Sequence, residues 1–148
     1  MINTYSIIVY GEAIPKGSTR AFVINGKAVT TNANKRTKDW QTLVSMAAQE
    51  KKPDKPIDGA VDILLNFYLP RPKGHYGTGK NAGKLRESAP DFHVTKPDTD
   101  KLARAVKDGL TGVVYGDDSQ VTQLIAVKWY ASPMHACGVE VEAVQLTA

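Results

Sequence analysis

A helix-patterned segment with acidic residues at both ends is the feature that most restricts how this chain can fold. Between residues 99 and 111, apolar side chains recur at steps of three and four residues, which predicts an amphipathic helix. The recurring positions are Leu102, Val106, Gly109, Leu110 and, just beyond, Val113. Pro97 precedes the segment and Gly112 follows it, so both helix ends are marked locally.

Carboxylates gather around this predicted helix. Asp98 and Asp100 stand at its start, Asp117 and Asp118 follow its end, and Asp108 lies within it. Like charges repel, so such a group needs a cation, a solvated surface or a shared proton. The acidic residues are therefore the first candidates for a functional site.

Chain length decides whether the two acidic pairs can meet. Thirteen helical residues span roughly 20 Å, and residues 112–118 span about 23 Å if extended. We therefore expect Asp118 to reach Asp98 and Asp100, since three Asp side chains open on one side suit Mg²⁺ or Mn²⁺ beside phosphate. The alternative is structural: Asp98 is an N-cap, Asp100 is favoured by the helix dipole, and Asp117-Asp118 forms a turn.

The order of these residues resembles the RusA family of Holliday junction resolvases, many of them phage-encoded. The shared pattern is Lys-Pro-Asp-x-Asp, a helix ending near Asp-Gly-Leu-Thr-Gly, and then Asp-Asp-x-Gln-Val. The opening strand over residues 1–10 and the basic middle of the chain also fit. The resemblance implies that Asp98, Asp100 and Asp118 are catalytic metal ligands with Asp117 beside them, and that the protein is a homodimer.

Two positions depart from the family pattern. Family members often carry Asn directly after the second Asp and a catalytic Lys four residues after it, whereas this chain has Lys101 and Arg104 there. We expect Arg104 or Lys101 to act as the catalytic cation. The alternative for Arg104 is a surface ion pair with Asp100 or Asp108.

We expect one α+β domain over residues 1–148. A chain of 148 residues with 42% hydrophobic content can form one core. Its single cysteine, Cys137, can form neither an internal disulfide nor a multi-cysteine zinc site, which is typical of a reducing cytoplasm. The sequence has no apolar run long enough to predict a leader or a membrane span, so we expect a soluble cytoplasmic protein.

Local patterns predict a mixed sheet of about five strands and two main helices, packed on one face of the sheet. A hairpin is predicted around Asn25-Gly26, with strands over 20–23 and 27–30, and is either a DNA-contacting arm or a sheet-edge hairpin. The predicted strands lie at 3–10, 60–69, 121–130 and 139–146, and the other helix at 37–50.

Positive charge is concentrated before the acidic helix. Residues 1–97 hold fifteen Lys and Arg against eight Asp and Glu, whereas residues 98–148 hold four against seven. A long basic loop over residues 70–97 is expected to become ordered on DNA. The candidate DNA contacts are Arg20, Lys35, Arg36, Arg71, Lys73, His75, Lys80, Lys84, Arg86 and Lys96. His75 and the nearby His93 are each open to phosphate contact, metal ligation or a solvated role.

Together these features predict a Mg²⁺- or Mn²⁺-dependent endodeoxyribonuclease that resolves four-way DNA junctions by paired phosphodiester hydrolysis in recombination and repair. Two alternatives stay open: a non-catalytic nucleic-acid-binding module, and a general nuclease without junction selectivity. A haloacid-dehalogenase-like phosphotransferase fits less well, because its Asp-x-Asp should end a hydrophobic strand and residues 94–97 are a poor one. An EF-hand is excluded because Gly109 stands where its loop needs Glu.

Overall fold

The computed structural model describes residues 3–17, 19–32 and 35–147, with the backbone alone for residues 19–22 and 29–32. The chain order gives strands β1 Thr4–Tyr10, β2 Thr19–Ile24 and β3 Lys27–Asn32, helix α1 Lys35–Glu50, strand β4 Val61–Leu69, helix α2 Thr99–Leu110, and strands β5 Val121–Tyr130 and β6 Gly138–Gln145. Short 3-10 turns lie at Lys73–His75, Gly79–Asn81 and Asp118–Gln120. The α+β prediction is confirmed.

The main sheet has four strands in the order β1-β6-β4-β5. β4 and β5 run parallel, and the other pairs are antiparallel. The prediction of one sheet of about five strands differs from this, because the hairpin forms a separate two-stranded sheet. Asn25 and Gly26 have φ of 50° and 78°, the conformation that a two-residue hairpin turn requires. The sheet-edge interpretation of the hairpin is therefore wrong for the part of the chain that the structure describes.

Alternation along β4 sets the two faces of the main sheet. Ile63, Leu65 and Phe67 are fully buried, whereas the residues between them are half-buried. The core lies between this buried face and the helices, as expected for strands with a period of two. The opposite face keeps apolar side chains in solvent: Ile8 and Ile125 are each 52% exposed.

Both helices pack on the buried face of the sheet. Trp40 and Val44 of α1 and Val106 of α2 are at most 2% exposed. The helices approach closely at Gly109, where an added Cβ would lie 2.8 Å from a Val44 methyl carbon. Any side chain at this position would push α1 away from α2, so the second helix has its position fixed by backbone contact as well as by apolar burial.

The connection from β4 to β5 places α2 and the basic loop at one edge of the sheet. Because parallel strands end at the same edge, the chain leaves β4 there, forms the loop over residues 70–97 and enters α2. This edge is where open α/β sheets commonly bind ligands. No helix in the described ranges is long and apolar enough to cross a membrane.

Candidate active site

The first acidic pair stands at the start of α2. Asp98 is the N-cap residue, with φ −70° and ψ 141°, and its carbonyl accepts from the amide of Leu102 at 3.1 Å. Its side chain makes no capping hydrogen bond. The Lys101 ammonium lies 3.7 Å from an Asp98 carboxylate oxygen, and both side chains are about half exposed. Because the Asp98 carboxylate does not accept a capping hydrogen bond from the helix backbone, it is available to an external ligand.

The solvent-facing side of α2 carries opposite charges that do not pair. Asp100 and Arg104 are exposed, and within the described residues neither makes a side-chain hydrogen bond or ion pair. Asp108 is instead 2.7 Å from the Lys16 ammonium and accepts from Gln41. The alternative in which Arg104 pairs with Asp100 or Asp108 is therefore wrong.

Asp117 has a local structural role. Its carboxylate accepts from the amide of Ser119 at 2.8 Å, and the Gln120 side chain accepts from the Asp117 amide at the same distance. Hydrogen bonds from Ser119 lower the pKa of Asp117. Because this exposed carboxylate caps the short turn before β5, the turn interpretation of Asp117 is confirmed.

Asp118 is held by a lysine that the sequence pattern did not single out. The Lys107 ammonium lies 3.2 Å from an Asp118 carboxylate oxygen, and the Lys107 side chain is only 18% exposed. The carbonyl of Lys107 accepts from the hydroxyl groups of Thr111 and Tyr115. Burial raises the pKa of that tyrosine. Lys107 follows Asp100 by seven residues, two helical turns, which is the spacing that could have identified it.

The segment after α2 is a tight turn and does not extend back along the helix. The amide of Gly112 donates to the carbonyl of Tyr115 at 2.7 Å, and the amide of Val114 donates to Leu110 at 3.0 Å. Asp118 consequently pairs with Lys107, whose Cα lies about 10 Å along the helix axis from that of Asp100. Across the described ranges, no three His, Cys, Asp or Glu side chains are grouped closely enough to hold a metal ion. The extended return to the helix start is therefore wrong.

The carboxylates at the start of α2 still fit a hard cation. Mg²⁺ prefers oxygen ligands and is commonly held by one or two carboxylates together with water and substrate phosphates. Asp98 and Asp100 are two such carboxylates, both exposed, and in the ranges that the structure describes neither has a competing backbone hydrogen bond. Asp118 forms a separate group with Lys107 on the other end of the same helix.

Two arginines of the basic loop hold the loop itself. Arg71 donates to the carbonyls of Ala131 and Pro90 at 2.7 and 2.8 Å, and its guanidinium lies 5.2 Å from the ring centre of Tyr130. Arg86 donates to the carbonyls of two residues in the first turn of the loop. The loop therefore has hydrogen bonds that hold it without DNA. This differs from the expectation that residues 70–97 become ordered only on DNA.

The two loop histidines pack on the end of β5. The rings of His75 and His93 lie 4.8 and 4.7 Å from the ring of Tyr130, and His75 also contacts Arg71. Desolvation and the charge of Lys128 lower the pKa of His93. Its Nδ1 is buried without a hydrogen-bond partner in the described part of the chain. These contacts give both histidines a packing role.

The remaining candidate DNA contacts divide by what their side chains touch. Arg36 forms an ion pair with Glu12 at 3.3 Å. The side chain of Arg20 lies outside the described residues. The other candidate DNA contacts have exposed side chains: Lys35, Lys73, Lys80, Lys84 and Lys96.

Comparison with known proteins identifies the family. The model of the RusA family, described as Endodeoxyribonuclease RusA, matches residues 12–142. A Bacillus subtilis (strain 168) relative, named "Uncharacterized protein YqaN", is 34% identical over 126 residues, covering 83% of this chain and 85% of that protein. The match includes both helices, the hairpin, β4, β5 and the first part of β6, whereas β1 lies before it. The chain belongs to the RusA endodeoxyribonuclease family.

Proposed function

We propose that this protein is a divalent-metal-dependent endodeoxyribonuclease that resolves four-way DNA junctions. Family membership supports the nuclease activity and the junction substrate. The observation that carries the proposal is at the start of α2, where Asp98, Asp100 and Arg104 are exposed and, among the described residues, make no side-chain hydrogen bond. Two carboxylates and a guanidinium near the strand ends where open α/β sheets commonly bind ligands can hold a cation and a phosphate.

The acidic and basic groups have separate roles in this proposal. Asp98 and Asp100 would hold Mg²⁺ or Mn²⁺, whereas Asp118, paired with Lys107 near the other end of α2, and Asp117, which caps the turn before β5, lie apart from this pair. A bound ion supplies a polarised water and stabilises charge on the phosphate. Arg104 binds phosphate oxygens by charge and bidentate hydrogen bonding, and Lys101 keeps a second positive charge beside Asp98.

The substrate explains the positive charge of the first two thirds of the chain. The loop lysines and the start of α1 would track phosphates, since phosphate contacts provide most of the sequence-independent affinity of DNA-binding proteins. A four-way junction has two equivalent cleavage positions. Two active sites related by a two-fold axis would cut both, so the functional unit in this proposal is a homodimer.

One comparison of substrates tests the activity and its selectivity together. Purified protein is incubated with a four-way junction and with linear duplexes of the same sequences, with and without Mg²⁺. We expect paired nicks in the junction only when Mg²⁺ is present. Equal cutting of junction and duplex would reduce the activity to a general nuclease, and tight binding without cutting would favour a binding module.

Substitution of the acidic residues tests their assignment. Asp98→Asn and Asp100→Asn should each abolish cleavage while junction binding stays intact or strengthens, because loss of negative charge removes the metal and reduces repulsion of phosphate. Cleavage and gel-shift assays on the same preparations measure both effects. Asp54→Asn, an exposed change in the turn between α1 and β4, is the control. Near wild-type cleavage by these two variants contradicts the assignment.

A further inference from the structure

A lysine on β5 holds the backbone that leads into the acidic start of α2. Lys128 pairs with the fully buried Phe67 of β4, so its side chain leaves the sheet on the helix-covered face. Its ammonium donates to the carbonyl of Thr95 at 2.7 Å and to that of Pro97 at 2.8 Å. The second carbonyl belongs to the residue immediately before Asp98, so the contact reaches the peptide bond at the helix start.

The same residue holds this segment at its other end as well. The carbonyl of Lys128 accepts from the amide of His93 at 3.1 Å. Residues 93–97 form neither helix nor strand, so their position relative to the sheet depends on such contacts. Through its main chain and its side chain, Lys128 therefore fastens both ends of a five-residue connection to β5.

The stability of the fold alone does not explain an ammonium group at this partly buried position. Within the part of the chain that the structure describes, the ion pairs do not include Lys128, and the side chain is only partly exposed. A partly buried charge without a carboxylate partner costs free energy that two carbonyl acceptors offset only in part. The same side of β5 otherwise carries uncharged side chains, namely those of Leu124, Ala126 and Tyr130.

We propose that Lys128 is a positioning residue for Asp98 and Asp100, an inference that rests on the proposed function. It fixes the distance between the sheet and the first turn of α2. The two carboxylates then face the cation in one arrangement, and Lys128 itself need touch neither the cation nor the DNA. By positioning the carboxylates, Lys128 strengthens cation binding. Its positive charge by itself would weaken cation binding, because like charges repel.

Amide hydrogen exchange and Mn²⁺ binding test the tether without DNA. Lys128→Met keeps the aliphatic stem and removes the ammonium, so we expect faster exchange over residues 93–98. Mn²⁺ binding, followed by the electron paramagnetic resonance of the free ion, should weaken at least about threefold. If the lysine acted by charge alone, Mn²⁺ would bind more tightly. Unchanged exchange, or Mn²⁺ binding that is unchanged or tighter, overturns the inference.

Cleavage kinetics separate positioning from substrate binding. In Lys128→Met the rate at saturating junction should fall on the order of tenfold or more, while the KM for the junction changes by less than about twofold, since a small displacement of catalytic groups is costly. Lys128→Arg should recover at least about half of the lost rate on a logarithmic scale. Lys52→Met, which removes an exposed lysine between α1 and β4, should match the wild type.

The controls keep the outcomes distinct. If Lys128→Met does not fold, Lys128→Gln, which keeps a donor and loses the charge, carries the same measurements below its melting temperature. A wild-type protein that neither binds Mn²⁺ nor cuts junctions refutes the proposed function. The exchange experiment needs neither metal nor DNA, so it still decides whether Lys128 holds residues 93–98. A higher KM with an unchanged maximal rate assigns Lys128 to DNA binding and overturns the positioning role.

Discussion

Arg104 shows how one exposed side chain can be informative about a site. It stands four residues after Asp100, so the two side chains share one face of α2 at a separation of about 6 Å. The structure removes the ion-pair explanation for it, because Asp108 pairs with Lys16. A guanidinium cannot exchange a proton near neutral pH, so a catalytic Arg104 acts only through charge and hydrogen bonding.

Substitution of Arg104 therefore tests whether cleavage needs a positive charge at this position. We expect Arg104→Lys to keep measurable junction cleavage, whereas Arg104→Ala should lose on the order of a hundredfold or more in rate, as for a lost transition-state donor. Single-turnover cleavage measures the loss. The melting temperature of Arg104→Ala should stay close to the wild-type value, because this exposed side chain makes no hydrogen bond or ion pair within the described residues. Near wild-type cleavage by Arg104→Ala would leave Lys101 as the next candidate.

At the scale of elements, the basic loop separates into side chains that hold it and side chains that are free to bind phosphate. Arg71 and Arg86 donate to backbone carbonyls, and their removal would disturb the loop itself. Lys73, Lys80 and Lys84 are exposed and make no side-chain hydrogen bond within the described residues. These three lysines are therefore the proper test of DNA contact by the loop.

Replacement of the three loop lysines by Gln should weaken junction binding and make it less dependent on salt. Each lost phosphate contact lowers the slope of log affinity against log salt by roughly 0.9 on duplex DNA, so we expect a change of about two to three units. Titrations at several salt concentrations measure this slope. The exposed pair Lys52 and Lys55, changed to Gln together, should leave it unaltered. An unaltered slope in the loop variant would show that the loop lysines are only solvated.

At the scale of the whole molecule, the helices cover one face of the sheet and leave apolar residues exposed on the other. The proposed function needs two such molecules for one junction. Sedimentation at micromolar concentration should therefore give twice the chain mass of 16.1 kDa. Both strands of a junction should be cut within one bound complex. A monomeric protein that nicks the two strands in independent events would contradict the homodimer.

Local patterns predicted the elements of this molecule well. The predicted helix over 99–111 corresponds to Thr99–Leu110, since its apolar spacing, Pro97 and Gly112 all act within a few residues. The hairpin at Asn25-Gly26 is confirmed for the same reason, because its turn chemistry is local. Trp40 and Phe67 are buried, as the apolar periodicity of the predicted helix over 37–50 and of the predicted strand over 60–69 implies.

The sequence by itself determined the helix, the strands, the hairpin turn and the acidic residues at the start of α2, because propensity, capping and periodicity act over neighbouring residues. Only the tertiary structure decided that Asp118 lies beside Lys107 and that Lys128 reaches Pro97. These pairs join residues 11 and 31 positions apart, and their contact depends on how α2 and β5 pack. The tight turn after Leu110 set the first pair, and the parallel register of β5 with β4 set the second.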